Sequence, residues 1–348
     1  MNSVAIDNIH AKNDSNSMPS ITILNLKNSL LSGVLGPLEI FTIANTIAQQ
    51  ENLSTAGNVA LLEPLELASI DGNAVSGFTG VSLAVHKSIS QVKADIVIIP
   101  PIFGELESAR ENKYLIQQLG RMSSEGTIIA TVCAGSFLLA ETGFLDGKIA
   151  TTHWKLTREF ENCYPKVDLH SEQMLIDGGN YICAGGAMAW QDLALHIVAR
   201  FMNKEIASKC AKTLVMDSTR NVQTPYFMFD QHLKSGTGFT DRNIEIVQKW
   251  MQQNYYRHVE LLELAEIAEI GVRSFLRRFK RTTGHTPVQY LQQLRIESAR
   301  HLLEVSNMNI EEITERVGYE NGSSFRRLFK KKTGLTPLEY RKKFSRIV

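Results

Sequence analysis

The chain has 348 residues, a formal net charge of +1, 43% apolar and 21% charged residues, which is ordinary composition and enough length for two domains at roughly 100–200 residues each. No run approaches the ~18 apolar residues of a membrane-spanning helix, and the four cysteines, Cys133, Cys163, Cys183 and Cys210, stand at no zinc-ligand spacing, so neither a membrane partner nor a metal site is expected. The near-neutral total hides a division: residues 241–348 carry 20 Lys and Arg against 13 Asp and Glu, and the remainder carries 17 against 23. A basic module suits a phosphate backbone and an acidic one does not.

In chain order, residues 1–19 are polar and mixed, with no basic start leading into an apolar block. They are expected to form a disordered tail rather than a secretory signal, which places the protein in the cytoplasm with reduced thiols. Residues 21–26 (ITILNL) read as a buried strand, and Gly36 with Pro37 opens a helix to about Gln50. Residues 59–70 are β-rich and punctuated by Pro64, and residues 81–85 alternate weakly. Residues 95–100 (DIVIIP) and 127–132 (TIIATV) are near-continuous apolar runs, as expected of parallel strands covered on both faces. A helix over about 113–123 separates them, and another follows the second run to about Glu141, ended by Gly143. Strands alternating with helices imply a doubly wound α/β sheet.

Cys133 falls at the strand-to-helix turn, the geometry of a nucleophile elbow. The helix N-terminus there is expected to lower the thiol pKa. Downstream lie His153, Trp154, the glycine pair Gly185 and Gly186, and an apolar helix over 189–201. The runs VCAGSFLLAETGFLDGKIATTHW and ICAGGAMAWQDLALHIV resemble the ThiJ/PfpI branch of the class I glutamine-amidotransferase-like superfamily, over about residues 21–216. The resemblance implies a flavodoxin-like, amidotransferase-like domain. In peptidase-like members a histidine follows the nucleophile, and here Ala134 stands in that place. A carboxylate near the first helix normally contacts the cysteine; with Pro37 as anchor that position falls on Gly33. Three readings of Cys133 stay open: a hydrolase nucleophile paired with His153, a redox or ligand-pocket residue grouped with His153 and Gly185, or an inherited elbow without chemistry. No residue is assigned a catalytic role, and no cofactor is implied.

Residues 231–240 (QHLKSGTGFT) read as a linker. The preceding TPYFMFD, residues 224–230, is apolar enough to dock on a domain. A helix starting at Asp241 presents Ile244, Val247 and Met251 on one face. Beyond it the chain repeats itself: FKRTTGHTPVQY at 279–290 and FKKKTGLTPLEY at 329–340 lie fifty positions apart and match at seven of twelve residues. A period this long repeats a whole supersecondary unit. Upstream of each copy is a short amphipathic helix, carrying Leu261, Leu264, Ala265 and Ala268 in the first and Ile310, Ile313 and Val317 in the second. Asn309 with Glu312 makes a capping box. A glycine turn follows, at Gly271 and at Gly318, and then a second helix over about 273–281 or 323–332. This is a helix-turn-helix pattern, whose second helix enters the DNA major groove. Phe275 and Phe279, and Phe325 and Phe329, stand four apart and point inward. Arg273, Arg277 and Lys280, and then Ser323, Arg326, Arg327 and Lys330, fall on the outward faces. Thr286-Pro287 and Thr336-Pro337 are helix starts, and the first opens a connecting helix over 287–303 with Leu291, Leu294 and Leu302 as its buried stripe.

The runs LAEIAEIGVRSFLRRFKRTTGHTP and ITERVGYENGSSFRRLFKKKTGLTPLEYR resemble the AraC/XylS family of transcription regulators, over about residues 240–346. The resemblance implies two helix-turn-helix units in adjacent major grooves of double-stranded promoter DNA. By position it carries contact roles to Arg273, Leu276, Arg277, Gly322, Ser323, Arg326 and Arg327, and Ser274, Arg281 and Lys330 complete the expected surface. Leu276 and Gly322 depart from the polar residue expected at a contact and offer at most apolar or backbone contacts.

The expected organisation is a tail (1–19), an amidotransferase-like sensing and dimerisation domain (20–230), a linker (231–240) and an all-α DNA-binding domain (241–348). The combined resemblance implies a homodimeric activator working with RNA polymerase under control of a small-molecule effector, since members of this group often respond to small nitrogenous metabolites. The alternative is a cysteine-dependent amidase or hydrolase, or an oxidant sensor, acting through Cys133.

Overall fold

A computed structural model describes residues 18–51, 59–217, 220–228 and 241–345; most of the expected tail and the whole expected linker lie outside the described residues. By internal contacts the chain divides into two compact units, Met1–Gln223 and Thr224–Val348. The division falls seven residues before the sequence boundary at 230 because Thr224–Tyr226 packs on helices of the second unit: the Tyr226 ring lies 5.4 Å from Phe344, and the Thr224 carbonyl accepts from Arg300 Nη2 at 3.3 Å. The apolar 224–230 stretch thus docks through its first residues.

In the first unit a seven-stranded sheet is built from β1 (Ile21–Leu24), β2 (Leu65–Ser69), β3 (Lys87–Ser88), β4 (Ile96–Ile99), β5 (Ile128–Val132), β6 (Leu175–Asp177) and β7 (Tyr181–Ala184). The order is β6-β7-β5-β4-β1-β2-β3, parallel throughout except for the β6–β7 hairpin. Strands β1, β4 and β7 are buried along their full length, because helices cover both faces of a parallel sheet. These include α1 (Ser32–Gln50), α2 (Lys113–Ser124), α3 (Gly135–Glu141), α4 (Trp190–Phe201) and α5 (Lys204–Thr213). The weak 81–85 alternation yields only the short strand Ser82–Leu83, paired with Val75–Ser76.

Helix α1 begins five residues before the expected Pro37, which lies inside it. Tertiary packing sets this start. A Cβ on Gly33 would meet Pro101 at 2.4 Å, and one on Gly36 would meet the Trp190 ring at 2.4 Å, so the first turn is pressed against both. The same contact leaves no room at Gly33 for the carboxylate that a hydrolase of this superfamily would carry there.

The second unit comprises α6 (Arg242–Asn254), α7 (Leu261–Ile267), α8 (Val272–Thr283), α9 (Pro287–Val305), α10 (Ile310–Arg316), α11 (Gly322–Thr333) and α12 (Pro337–Phe344). Thr286, Asn309 and Thr336 each close a capping box, and Gly284 and Gly334 end α8 and α11 at φ of 76°. Two separate cores form. Ile244, Val247, Met251, Leu264, Phe275, Phe279, Tyr290 and Leu294 make one. Ile296, Ala299, Leu303, Ile313, Val317, Phe325, Phe329 and Tyr340 make the other.

Connector α9 serves both cores: Tyr290 and Leu294 face the first, and Ile296, Ala299 and Leu303 face the second from roughly the opposite side of the helix. The expected single stripe is therefore corrected, with Leu291 and Leu302 only half-buried. Leu261, at the start of α7, is likewise 37% exposed rather than buried.

Asp241 caps α6 and takes both ends of the Arg278 guanidinium at 2.7 Å while only 3% exposed. Arg278's hydrogen bonds hold the Asp241 carboxyl below the usual carboxylate range. The stabilisation is present above the unfolded-state pKa of about 3.9 and is lost as pH falls through the lower folded value. Asp241→Asn is expected to destabilise the second unit by about 1.5–3 kcal/mol at pH 7, with the difference from wild type shrinking below about pH 4; urea unfolding at the two pH values measures both.

Candidate DNA-binding surface and nucleophile elbow

Each helix-turn-helix unit is held by the same aromatic stack. Ring centroids lie 5.4 Å apart for Phe275–Phe279 and 5.5 Å for Phe279–Tyr290, and 5.6 and 5.5 Å for Phe325–Phe329 and Phe329–Tyr340. With that face of each second helix buried, 100° per residue turns the remaining positions outward. On α8, Arg273, Leu276, Arg277, Lys280 and Arg281 are exposed and Ser274 is half-buried; on α11, Ser323, Arg326, Arg327 and Lys330 are exposed and Gly322 is half-buried. Eight of the ten expected contact residues therefore lie on an outward face of a second helix. Arg278, on the same helix, is instead held by Asp241.

Two features were not legible in the repeat. Glu311, on α10, forms an ion pair with Arg326, so one contact arginine is engaged inside its own unit. The turns also differ. The left-handed residue after the first helix is Gly318 at φ 87° in the second copy but Glu269 at φ 53° in the first. Gly271, expected to make that turn, instead has φ −63° as the N-cap of α8, because the left-handed position is the second residue after each first helix and Gly271 lies two residues beyond it.

In the first unit Cys133 adopts φ 56° between β5 and α3, which is the strained elbow the spacing predicts. Its N–H donates to the Ala184 carbonyl at 2.8 Å. Its carbonyl accepts from Ser136 Oγ and Thr152 Oγ1, each at 3.0 Å. The thiol is 4% exposed, and burial pushes its pKa up to about 12. The expected lowering is thus reversed: desolvation of a buried thiolate outweighs the helix N-terminus.

His153 is held away from base chemistry. Its Nδ1 accepts from the Lys155 N–H at 3.2 Å, its ring stacks on Trp154, and burial followed by the Lys155 charge lowers its pKa. Among the described residues no hydrogen bond joins His153 to Cys133.

Gly185 is sealed over. A Cβ there would meet the Gln223 amide nitrogen at 1.8 Å. Gln223 is 1% exposed, and its Nε2 lies 2.9 Å from the Thr152 and Ser171 carbonyls and 3.1 Å from that of Gln173. Cys133, His153 and Gly185 are therefore brought to one region, but around a buried glutamine rather than an open pocket. Gln223 escaped the sequence reading because its partners lie 50 to 72 positions away and no local pattern marks it.

Reactivity tests this directly. In native protein at pH 8, iodoacetamide is expected to label exposed Cys163 and to leave Cys133 unmodified for at least roughly 100-fold longer. Peptide mass spectrometry reads both sites.

Residues 264–343 match the helix-turn-helix domain family and residues 41–200 match the DJ-1/PfpI family. The chain is 28% identical over 288 residues to the HTH-type transcriptional regulator CdhR of Pseudomonas aeruginosa, covering 78% of this chain and 83% of that protein. It is 30% identical over 125 residues to the XylDLEGF operon transcriptional activator 2 of Pseudomonas putida, covering 35% of this chain and 69% of that protein. A solved chain from Vibrio parahaemolyticus shares the fold at a TM-score of 0.50 and 20% identity, over 57% of this chain and 100% of that one. With two arginine-faced second helices on one repeated aromatic scaffold and an elbow-bearing α/β sheet ahead of them, the chain belongs to the AraC/XylS family of helix-turn-helix transcription regulators and carries an N-terminal DJ-1/PfpI domain.

Proposed function

We propose that the protein is a cytoplasmic, homodimeric transcription activator that binds promoter DNA through α8 and α11, engages RNA polymerase, and is controlled by a small metabolite bound in its first unit. The observation that carries this reading is the pair of outward basic faces, Arg273/Arg277/Lys280 and Arg326/Arg327/Lys330, at equivalent positions of two helices. An arginine so placed reads guanine through O6 and N7 while its neighbours neutralise phosphates. The division of charge supports it: the second unit holds the excess of Lys and Arg, and the first holds the excess of acid. The relative from Pseudomonas putida is itself named a transcriptional activator, which supports the sign of regulation.

The hydrolase and oxidant-sensor readings rest on Cys133. A thiol 4% exposed with its pKa raised, beside a histidine whose Nδ1 is occupied by backbone, supports neither nucleophilic attack nor ready oxidation. The test is genome-wide mapping of bound DNA in cells, followed by gel-shift titration of the recovered fragments with purified full-length protein. Enrichment of discrete promoter fragments that compete at least roughly 1,000-fold better than random duplex is expected. Uniform binding to any duplex would refute the reading.

A further inference from the structure

A cavity of about 600 Å³ opens in the first unit between α4, α5, the start of β6 and the chain at Arg220 and Asn221. That size suits a small ligand. Its walls are apolar at Leu195, Ala199 and Ala207. Its charge is concentrated at Asp192 and Arg220, whose side chains are only 12% and 19% exposed, with exposed Lys204 also lining the cavity. Arg220 Nη2 is used, donating to Asp192 Oδ2 at 2.7 Å and Gln191 Oε1 at 3.0 Å. Arg220 Nε is buried and has no partner. Buried donors are satisfied in the great majority of folded proteins, so an unpaired N–H on a guanidinium that lines a cavity calls for a further acceptor at that residue. Asp192 is neutralised by Arg220, which leaves Lys204 as surplus positive charge. Asp177 takes His196 Nε2 at 2.7 Å and Arg200 at 2.8 Å, so the His196 ring lining the cavity already has its partner.

We propose that this cavity, and not the Cys133 elbow, is the effector site, and that it takes a small carboxylate whose acid group binds the Arg220 guanidinium and Lys204 with its short apolar body against Leu195, Ala199 and Ala207. The proposal rests on the reading of the first unit as ligand-sensing and gives that reading a location. With Asp192 and Arg220 paired, Lys204 is the single surplus charge lining the cavity among the described residues, which matches a monoanion better than a dianion such as phosphate.

The site also has a route to the rest of the chain. The Asn221 carbonyl accepts from the Met174 N–H at 3.1 Å, Val222 bridges Gln173, and Gln223 is the buried plug over Gly185. A ligand held by Arg220 therefore acts on the last four residues of the first unit, immediately ahead of Thr224. Loosening or tightening that anchor shifts the population of the DNA-competent arrangement.

The test uses full-length protein, with calorimetry and thermal unfolding against acetate, propionate, butyrate and succinate, with butyramide and inorganic phosphate as controls. At least one monocarboxylate is expected to bind at least tenfold more tightly than butyramide and phosphate. Arg220→Gln and the cavity-filling Ala199→Leu should each weaken it tenfold or more, and Cys133→Ala should leave it within twofold. If Arg220→Gln does not fold, Ala199→Leu decides alone. Absence of carboxylate binding in the wild type, binding that survives both cavity variants, phosphate binding of equal strength, or loss in Cys133→Ala would each overturn the proposal. Promoter binding is scored separately by anisotropy: a protein that binds carboxylate at this cavity but prefers no promoter fragment refutes the regulator reading and keeps the site.

Discussion

Arg327→Ala is expected to weaken promoter binding by roughly 5- to 150-fold, the loss of one bidentate base contact worth about 1–3 kcal/mol, and to relax sequence preference at a single base position. Arg327 is exposed on α11 and has no ion-pair partner among the described residues, so the whole of its hydrogen-bonding capacity is available to DNA. Arg277 holds the equivalent place on α8, fifty positions earlier, and its alanine variant should act at a site one helical turn of DNA away. Arg326→Ala is expected to cost less, because Arg326 must first leave Glu311. An exposed pair of this kind contributes about 0–1 kcal/mol, which is subtracted from what the DNA contact returns. Titrations at matched salt distinguish the roles. A specificity contact changes the ratio of promoter to random-duplex affinity, whereas a phosphate contact lowers both and reduces the salt slope by about one. Wild-type affinity in the Arg277→Ala, Arg327→Ala double variant would remove both helices from the interface.

Gly318→Ala is expected to cost about 2–5 kcal/mol, from roughly 1–2 for a left-handed alanine and about 1–3 for overpacking. A Cβ at Gly318 would stand 2.6 Å from the Tyr256 carbonyl oxygen and 3.1 Å from Arg295 Cζ. Neither neighbour can yield easily. The first is backbone. The second is fixed by donating to the Tyr255 and Arg257 carbonyls, both at 2.8 Å, while its guanidinium lies 5.2 Å from the Tyr319 ring. Gly284→Ala is the control. It has φ 76° with nothing within 4 Å, so it carries strain alone, about 1–2 kcal/mol. That a non-glycine occupies the matching turn of the first copy, Glu269 at φ 53°, shows why the contact and not the dihedral is the larger part. Arg295 and Gly318 lie where the second turn meets the loop after α6, so the damaged variant should also lose promoter affinity although neither residue faces outward on α8 or α11. Equal stability of the two glycine variants, measured by urea unfolding, would show that Tyr256 moves aside.

Much of this molecule follows from short-range rules. The fifty-residue repeat, the Thr-Pro helix starts, the Asn309–Glu312 capping box and the four-apart phenylalanines depend on residues within one or two helical turns, so the amino-acid order alone determined two helix-turn-helix units with basic outer faces. The apolar runs at 95–100 and 127–132 determined buried parallel strands, and the turn between the second run and its helix determined the elbow at Cys133. Tertiary structure decided what those rules cannot reach. Whether the Cys133 thiol is activated depends on how deeply the fold buries it, and desolvation won over the helix dipole. Which arginines remain free depended on Asp241 finding Arg278 and Glu311 finding Arg326 across the fold. The connector's two opposed buried faces, the Gln223 plug and the cavity at Arg220 are each assembled from segments tens of residues apart in the chain, and the packing that brings such segments together is set by the whole core rather than by any one stretch.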